Sequence, residues 1–210
     1  ATSYAKARSK KGDGFVGSYF VNIRNPITSD EYSQAYRELT GKEITQSYDA
    51  QYTQKQRDAN IAKLDKQLKA QGYDGMADEL GQITVYNPNQ IKSATGNSGA
   101  FNPDDNDIRF SRGATLGDKK KSDPADFNEA LQQAGGFAAY DKAIAAGKTK
   151  LTLREWVWVR TPQFKRWFGD WENDPANASK IIDRETGEPK PVYHNSGEQL
   201  TEFDLEFVRT

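Results

Sequence analysis

The chain offers few places where chemistry could start. The stretch PVYHNSGE, residues 191 to 198, holds its one histidine, His194, between a proline-flanked tyrosine and a run of small polar residues. There is no cysteine, which removes thiolate nucleophiles, disulfides and thiolate zinc sites, and a single imidazole supplies too few nitrogen ligands for the usual zinc centre. Acid/base work by His194 would need a carboxylate partner, with Glu198 or Glu202 in that role. Taken alone, Val192 to Ser196 reads as a strand ending in a turn, with Asn195 left-handed and His194 a satisfied surface group. A second polar position is Gln82, first residue of the strand-like run Gln82 to Asn87, in which Ile83 and Val85 face a core. Taken alone, that run is an edge strand with Gln82 at its solvated mouth.

The elements that must carry these residues follow from periodicity. Gly14 to Ile27 alternates apolar and polar residues, predicting a half-buried strand that Pro26 ends. A polar stretch with Tyr32, Tyr36, Tyr48 and Tyr52 follows, and then Ile61, Leu64 and Leu68 stand at helical spacing, predicting an amphipathic helix over 54–71 with Gly72 as its stop. GYDGMADELGQITVYNPNQ predicts a hairpin with its turn at Asp78 to Gly81 and a second strand from Gln82 to Tyr86. GDKKKSDPAD has the charged, proline-bearing composition of a linker, which places a linker at 114–124. Beyond it, helical material spans about 125–170, with Trp156, Trp158, Trp167 and Trp171 required mostly to bury, as a small core rather than a base-stacking platform. KIIDRETGEPKPVYHN predicts strand, turn at Glu185 to Glu188, and a second strand ending at His194; Phe203, Leu205 and Phe207 then repeat in period two.

Composition sets outer bounds. The 210 residues are 35% hydrophobic and 28% charged, with a mean hydropathy of -0.90, enough for one or two modest cores under a polar surface. Twenty-nine basic against 30 acidic residues give a net charge of -1, which argues against a nucleic-acid partner. No apolar run approaches the roughly 20 residues that span a bilayer, and the basic start ATSYAKARSKKGDG has no apolar stretch behind it. The expectation is a soluble protein without signal peptide or transmembrane segment.

Two long strings resemble one family. TPQFKRWFGDWENDPANASKIIDRETGEPKPVYHNS is similar to the opening of the ADP-ribosyltransferase domains of polyvalent proteins in phages and mobile elements, where the strand ends in Tyr-His-Gly-Thr/Ser. GYDGMADELGQITVYNPNQIKSATGNSGAFNPDDNDIRFSR resembles the close of the same domains, and GDGFVGSYFVNIRNPI resembles an internal strand of them. The resemblance implies the His-Tyr-Glu class that includes the poly-ADP-ribose polymerases: a histidine holds the adenosine-side ribose, a tyrosine stacks on nicotinamide, and a glutamate hydrogen-bonds the nicotinamide ribose. That last role is physically intelligible, since an oxocarbenium-like centre at the ribose C1 is stabilised by fixed negative charge nearby.

Carried over by position, the resemblance places His194 at the family's histidine and Ser196 at its small hydroxyl residue. Asn195 stands where the family has glycine, and after glycine it is the residue most tolerant of unusual dihedrals. Gln82 stands at the glutamate position, where an amide can hydrogen-bond a ribose hydroxyl but brings no charge and accepts no proton. Asp78 and Glu79 lie in the preceding turn, off the motif. Tyr19, in GSYF at 17 to 20, has the local pattern of the family's Gly-x-Tyr-Phe strand, although NIRNPI follows it where the family continues with a helix.

The resemblance also inverts the order of the halves. Residues 1–113 correspond to the carboxyl half of the domain, 114–124 to a linker, and 125–210 to a helical Trp-rich segment plus the amino half. A circular permutant, a fragment of tandem repeats, or a second copy completing the fold would each account for this. The implied fold is α+β, a split sandwich of two antiparallel sheets with flanking helices. The implied function is NAD-dependent mono-ADP-ribosyl transfer to a macromolecule, with NAD as substrate and a protein as the expected acceptor. The alternatives are a catalytically inactive binding module of the same fold and, third, a ribonuclease toxin.

Overall fold

The computed structural model describes residues 15–41, 43, 54–78, 81–109, 126–196, 200 and 202–203. In chain order the elements are β1 (Phe15–Val21), β2 (Pro26–Ile27), α1 (Ser29–Thr40), α2 (Gln54–Ala70), β3 (Gly75–Ala77), β4 (Ile83–Val85), β5 (Ile91–Ser93), α3 (Phe127–Gln133), α4 (Gly136–Ala145), α5 (Leu153–Trp158), α6 (Pro162–Phe168) and β6 (Val192–Ser196). They fall into two compact units: residues up to Asn22 together with Pro88 to Phe203, and residues Ile23 to Asn87. The linker expected at 114–124, Glu79, Glu198, and Leu205 with Phe207 lie outside the described residues. Among those described, no helix is long and apolar enough to cross a membrane.

In the first unit β1 is the central strand of an antiparallel sheet, between β5 and β6. Its two strand partners thus come from either side of residues 114–124. The core gathers Phe20, Phe101, Trp156, Trp158, Phe164, Trp167 and Phe168. Phe164 meets Phe20 and Phe101 edge-on, with ring centroids 5.1 and 5.0 Å apart. Each large apolar side chain removed from water here stabilises by about 1.5–3 kcal/mol before entropy is counted. Two threonines start the helices that deliver these rings. Thr152 forms a capping box with Glu155 at the head of α5, and Thr161 caps α6, with Pro162 in its first turn. Trp156, Trp158 and Trp167 are buried, and Trp171 packs against the same core, as their bulk required. Arg160 ties the cluster together: its guanidinium stands 4.2 Å from the Trp156 ring and 5.3 Å from that of Trp171. It also donates to Glu188 at 2.7 Å.

The second unit holds the sheet β2-β3-β4 with α1 and α2. Its core is Ile27, Tyr36, Leu64, Leu68 and Tyr86. The β3/β4 hairpin forms as expected, with Gly75 opposite Val85 and Ala77 opposite Ile83. The expected helix over 54–71 is α2.

Three expectations need correcting. The strand predicted from Gly14 to Ile27 is two strands in two sheets, because Asp74 accepts the backbone amides of Arg24 and Asn25, at 2.8 and 2.9 Å, and holds a bend there. The polar, tyrosine-rich stretch contains a helix: Thr28 and Glu31 form a capping box, and Gly41 closes α1 at φ 69°. Its tyrosines are structural, Tyr36 buried and Tyr32 donating to Asp65 of α2 at 2.9 Å. The α+β class and flanking helices stand, but the second sheet is mixed, since β2 and β3 pair in parallel. The crossover through α1 and α2 is what a parallel pair needs.

Candidate functional site

The site is built on the β1/β6 pair, whose register sets Phe15 opposite Ser196, Val16 opposite Asn195, Gly17 opposite His194, Ser18 opposite Tyr193 and Tyr19 opposite Val192. Directly opposed residues project to the same side of a sheet and successive residues to opposite sides. Gly17, Tyr19, His194 and Ser196 therefore share one face. Asn195 and Tyr193 share the other, with Ser18 and Phe20.

On the first face the Tyr19 ring lies back along its own strand. A Cβ added at Gly17 would stand 2.0 Å from the Tyr19 hydroxyl oxygen and 2.3 Å from its Cζ, so the phenol fills the space a side chain at 17 would take. Phe203 meets Tyr19 edge-on, centroids 5.1 Å apart at 82°, and His194 at 5.3 Å and 71°. His194 is exposed on β6, and partial desolvation pushes its imidazole below its ordinary value, while burial pushes the Tyr19 phenol above its own. The shift favours the uncharged ring, whose one donor and one acceptor nitrogen suit hydroxyls rather than anions. Tyr19 is only 6% exposed.

On the opposite face Ser18 donates to Glu155 at 3.4 Å. The Glu155 charge and burial both raise the Tyr193 phenol, burial contributing more. Asn195 has its amide oxygen buried without a hydrogen-bond partner among the described residues. It is not left-handed, Phe101 being the one non-glycine residue of positive φ among those described. The strand continues through it to Ser196, which corrects the expected turn after His194. The reason is β1, which runs alongside from Phe15 and supplies backbone partners that far.

Gln82 belongs to the second unit. It is exposed and stands one residue before β4, its backbone N–H donating to the Asp78 carboxylate at 2.8 Å and its backbone carbonyl accepting from the Asp78 backbone N–H at 3.1 Å. The Asp78 carboxylate also accepts from Ser29 at 3.0 Å. It is a hairpin clasp, not a spare acid. Glu202, the described one of the two carboxylates considered for His194, is exposed.

Sequence reasoning passed over Gly17 and Phe203. The Gly-x-Tyr spacing was a signal for the first. For Phe203 the period-two pattern pointed to a strand, and the residue serves instead as a ring over two others. A cavity of about 190 Å³ lined by Asp126, Glu129, Gln133, Thr161 and Gln163 contains none of the expected site residues. No group of three or more potential metal ligands occurs among the described residues.

Residues 1–101 match the family model described as ADP-Ribosyltransferase in polyvalent proteins. The match takes in Tyr19 and Gln82 and ends before His194, Asn195 and Ser196. No curated protein and no solved structure matches the chain. The matched stretch is a little under half of the chain.

Proposed function

We propose that the chain carries out NAD-dependent mono-ADP-ribosyl transfer to a macromolecular acceptor, a protein, as an effector of a phage or mobile element acting in a cell's cytoplasm. In that reaction the bond from the nicotinamide-ribose C1 to the ring nitrogen breaks. Nicotinamide leaves with the electron pair, and an acceptor nucleophile bonds to C1 and gives up its proton. His194 would hold hydroxyls of the adenosine-side ribose through its neutral ring, with Asn195 and Ser196 beside it on β6. Tyr19 would take a nicotinamide-stacking role, and Gln82 would hydrogen-bond a ribose hydroxyl. On this reading residues 1–113 form the carboxyl half of the domain, 114–124 a linker, and 125–210 a Trp-rich segment with the amino half. A second copy would complete the fold.

The observation that carries the reading is the β1/β6 register. It sets the chain's one histidine opposite Gly17 of the Gly-x-Tyr-Phe stretch, inside the region that matches the transferase family. A second reading, a silent binding module of the same fold, is favoured by the neutral amide at Gln82 and by the burial of Tyr19 under Phe203.

Incubation with labelled NAD, with and without Gln82→Glu, separates the two. Label transfer by the natural chain supports the first reading. Transfer gained only in the variant supports the second, because a carboxylate restores the charge that stabilises the cationic transition state. Absence of an NAD-dependent thermal shift in both proteins would overturn the assignment of an NAD site.

A further inference from the structure

We infer that Gly17 is a positioning residue of the candidate site: its bare Cα lets the Tyr19 ring lie flat along β1, which sets the phenol across from His194. The role in NAD binding rests on the function proposed above; the geometry does not. Glycine within a strand costs stability relative to alanine and packs nothing against its neighbours. Gly17 sits third in a seven-residue central strand, where that cost is least welcome. Its backbone is not in the left-handed region that would demand glycine, since no positive φ occurs there. What demands glycine is the Tyr19 phenol, whose hydroxyl oxygen and Cζ lie 2.0 and 2.3 Å from where a Cβ would be. Those atoms belong to a rigid ring, so a side chain at 17 cannot be met by a small shift of a flexible end. The ring must swing away, and with it goes the edge contact to Phe203 that also closes over His194.

The test is a cycle of Gly17→Ala in the full chain and in a Tyr19→Val background, folding being followed by circular dichroism. The reporter is the ring-proton titration of His194, unambiguous because the chain has one histidine. Tyr19 is the titratable group that faces it from β1, and the phenol stays neutral across the range read. In the natural background Gly17→Ala moves the His194 midpoint up toward the ordinary value of about 6.5 and weakens any NAD response about tenfold or more. In the Tyr19→Val background the same change leaves the midpoint where it was and leaves the denaturation midpoint equal or higher. An unchanged His194 midpoint in Gly17→Ala, or an equal shift in both backgrounds, overturns the inference. Should Gly17→Ala fail to fold, folding of Gly17→Ala/Tyr19→Val supports it and failure of the double variant overturns it. The titration needs no NAD, so an absence of NAD binding by the natural chain defeats the proposed function and not this one.

Discussion

Gly17 and His194 face each other across β1 and β6, the first covered by the Tyr19 ring and the second met edge-on by Phe203. Because burial lowers the His194 value, the fold favours the neutral ring. The sign follows: the native state is penalised as pH falls below the unfolded value of about 6.5, and the penalty grows until pH passes the native value. Phe203→Ala removes the ring that meets both. It raises the His194 midpoint, lowers the Tyr19 phenol toward its ordinary value, and flattens the loss of stability between pH 7 and 5. Nuclear magnetic resonance titration and urea midpoints across that range measure all three.

Lys92 predicts a second pH dependence, in the alkaline range. It is 1% exposed, and its ammonium donates to the carbonyls of Asp105 and Asp107. Burial pushes it down to about 8, against smaller opposing effects of the two aspartates. Above that value the unfolded chain holds the proton longer than the native one, so stability rises with pH from about 8 to about 10.5. Lys92→Met removes this rise while nearly preserving volume. Comparing the urea midpoints of the two proteins at neutral and alkaline pH isolates it, since the other titrating groups are common to both.

Arg160 and Glu188 form the pair on which the tryptophan cluster leans, 2.7 Å apart with Glu188 buried. Arg160→Ala leaves that carboxylate without its charge partner and removes the plate between Trp156 and Trp171. The expected loss is about 3–5 kcal/mol. The double variant Arg160→Ala/Glu188→Leu recovers part of it, because the penalty lies in the orphaned charge. Chemical denaturation of the two variants reads the difference.

In a Gln82→Glu protein that transfers label, His194→Ala lowers turnover by about a hundredfold or more. His194→Gln retains more, since an amide still presents a donor and an acceptor. A rate unaffected by either change would remove His194 from the site.

The sequence made some of this legible and hid the rest for physical reasons. Periodicity found α2, the β3/β4 hairpin and the burial of the tryptophans, because each is a local pattern whose apolar face has one way to be covered. It joined β1 to β2, because the bend between them depends on the Asp74 carboxylate, some fifty residues away. It overlooked α1, although Thr28 and Glu31 carry a capping box, because tyrosines at helical spacing are masked by polar neighbours. Tyr19, Gln82 and His194 were reached through resemblance and alternation. That Tyr19 and His194 share a face follows from the strand register, which no local window contains. Gly17 and Phe203 act by what they leave open and what they cover, and neither property is written in a residue type.

The position of β1 also governs the order of events in folding. Its partners are Ile91–Ser93 on one side and Val192–Ser196 on the other, so the pairing with β6 closes a loop that takes in most of the described chain. Long-range pairing of this kind must meet its closure entropy before any ladder bond rewards it, which slows the step. Until residues 192 to 196 have left the ribosome, one edge of the strand that bears Tyr19 stays open, and the histidine reaches its place with the last strand of the sheet to be made.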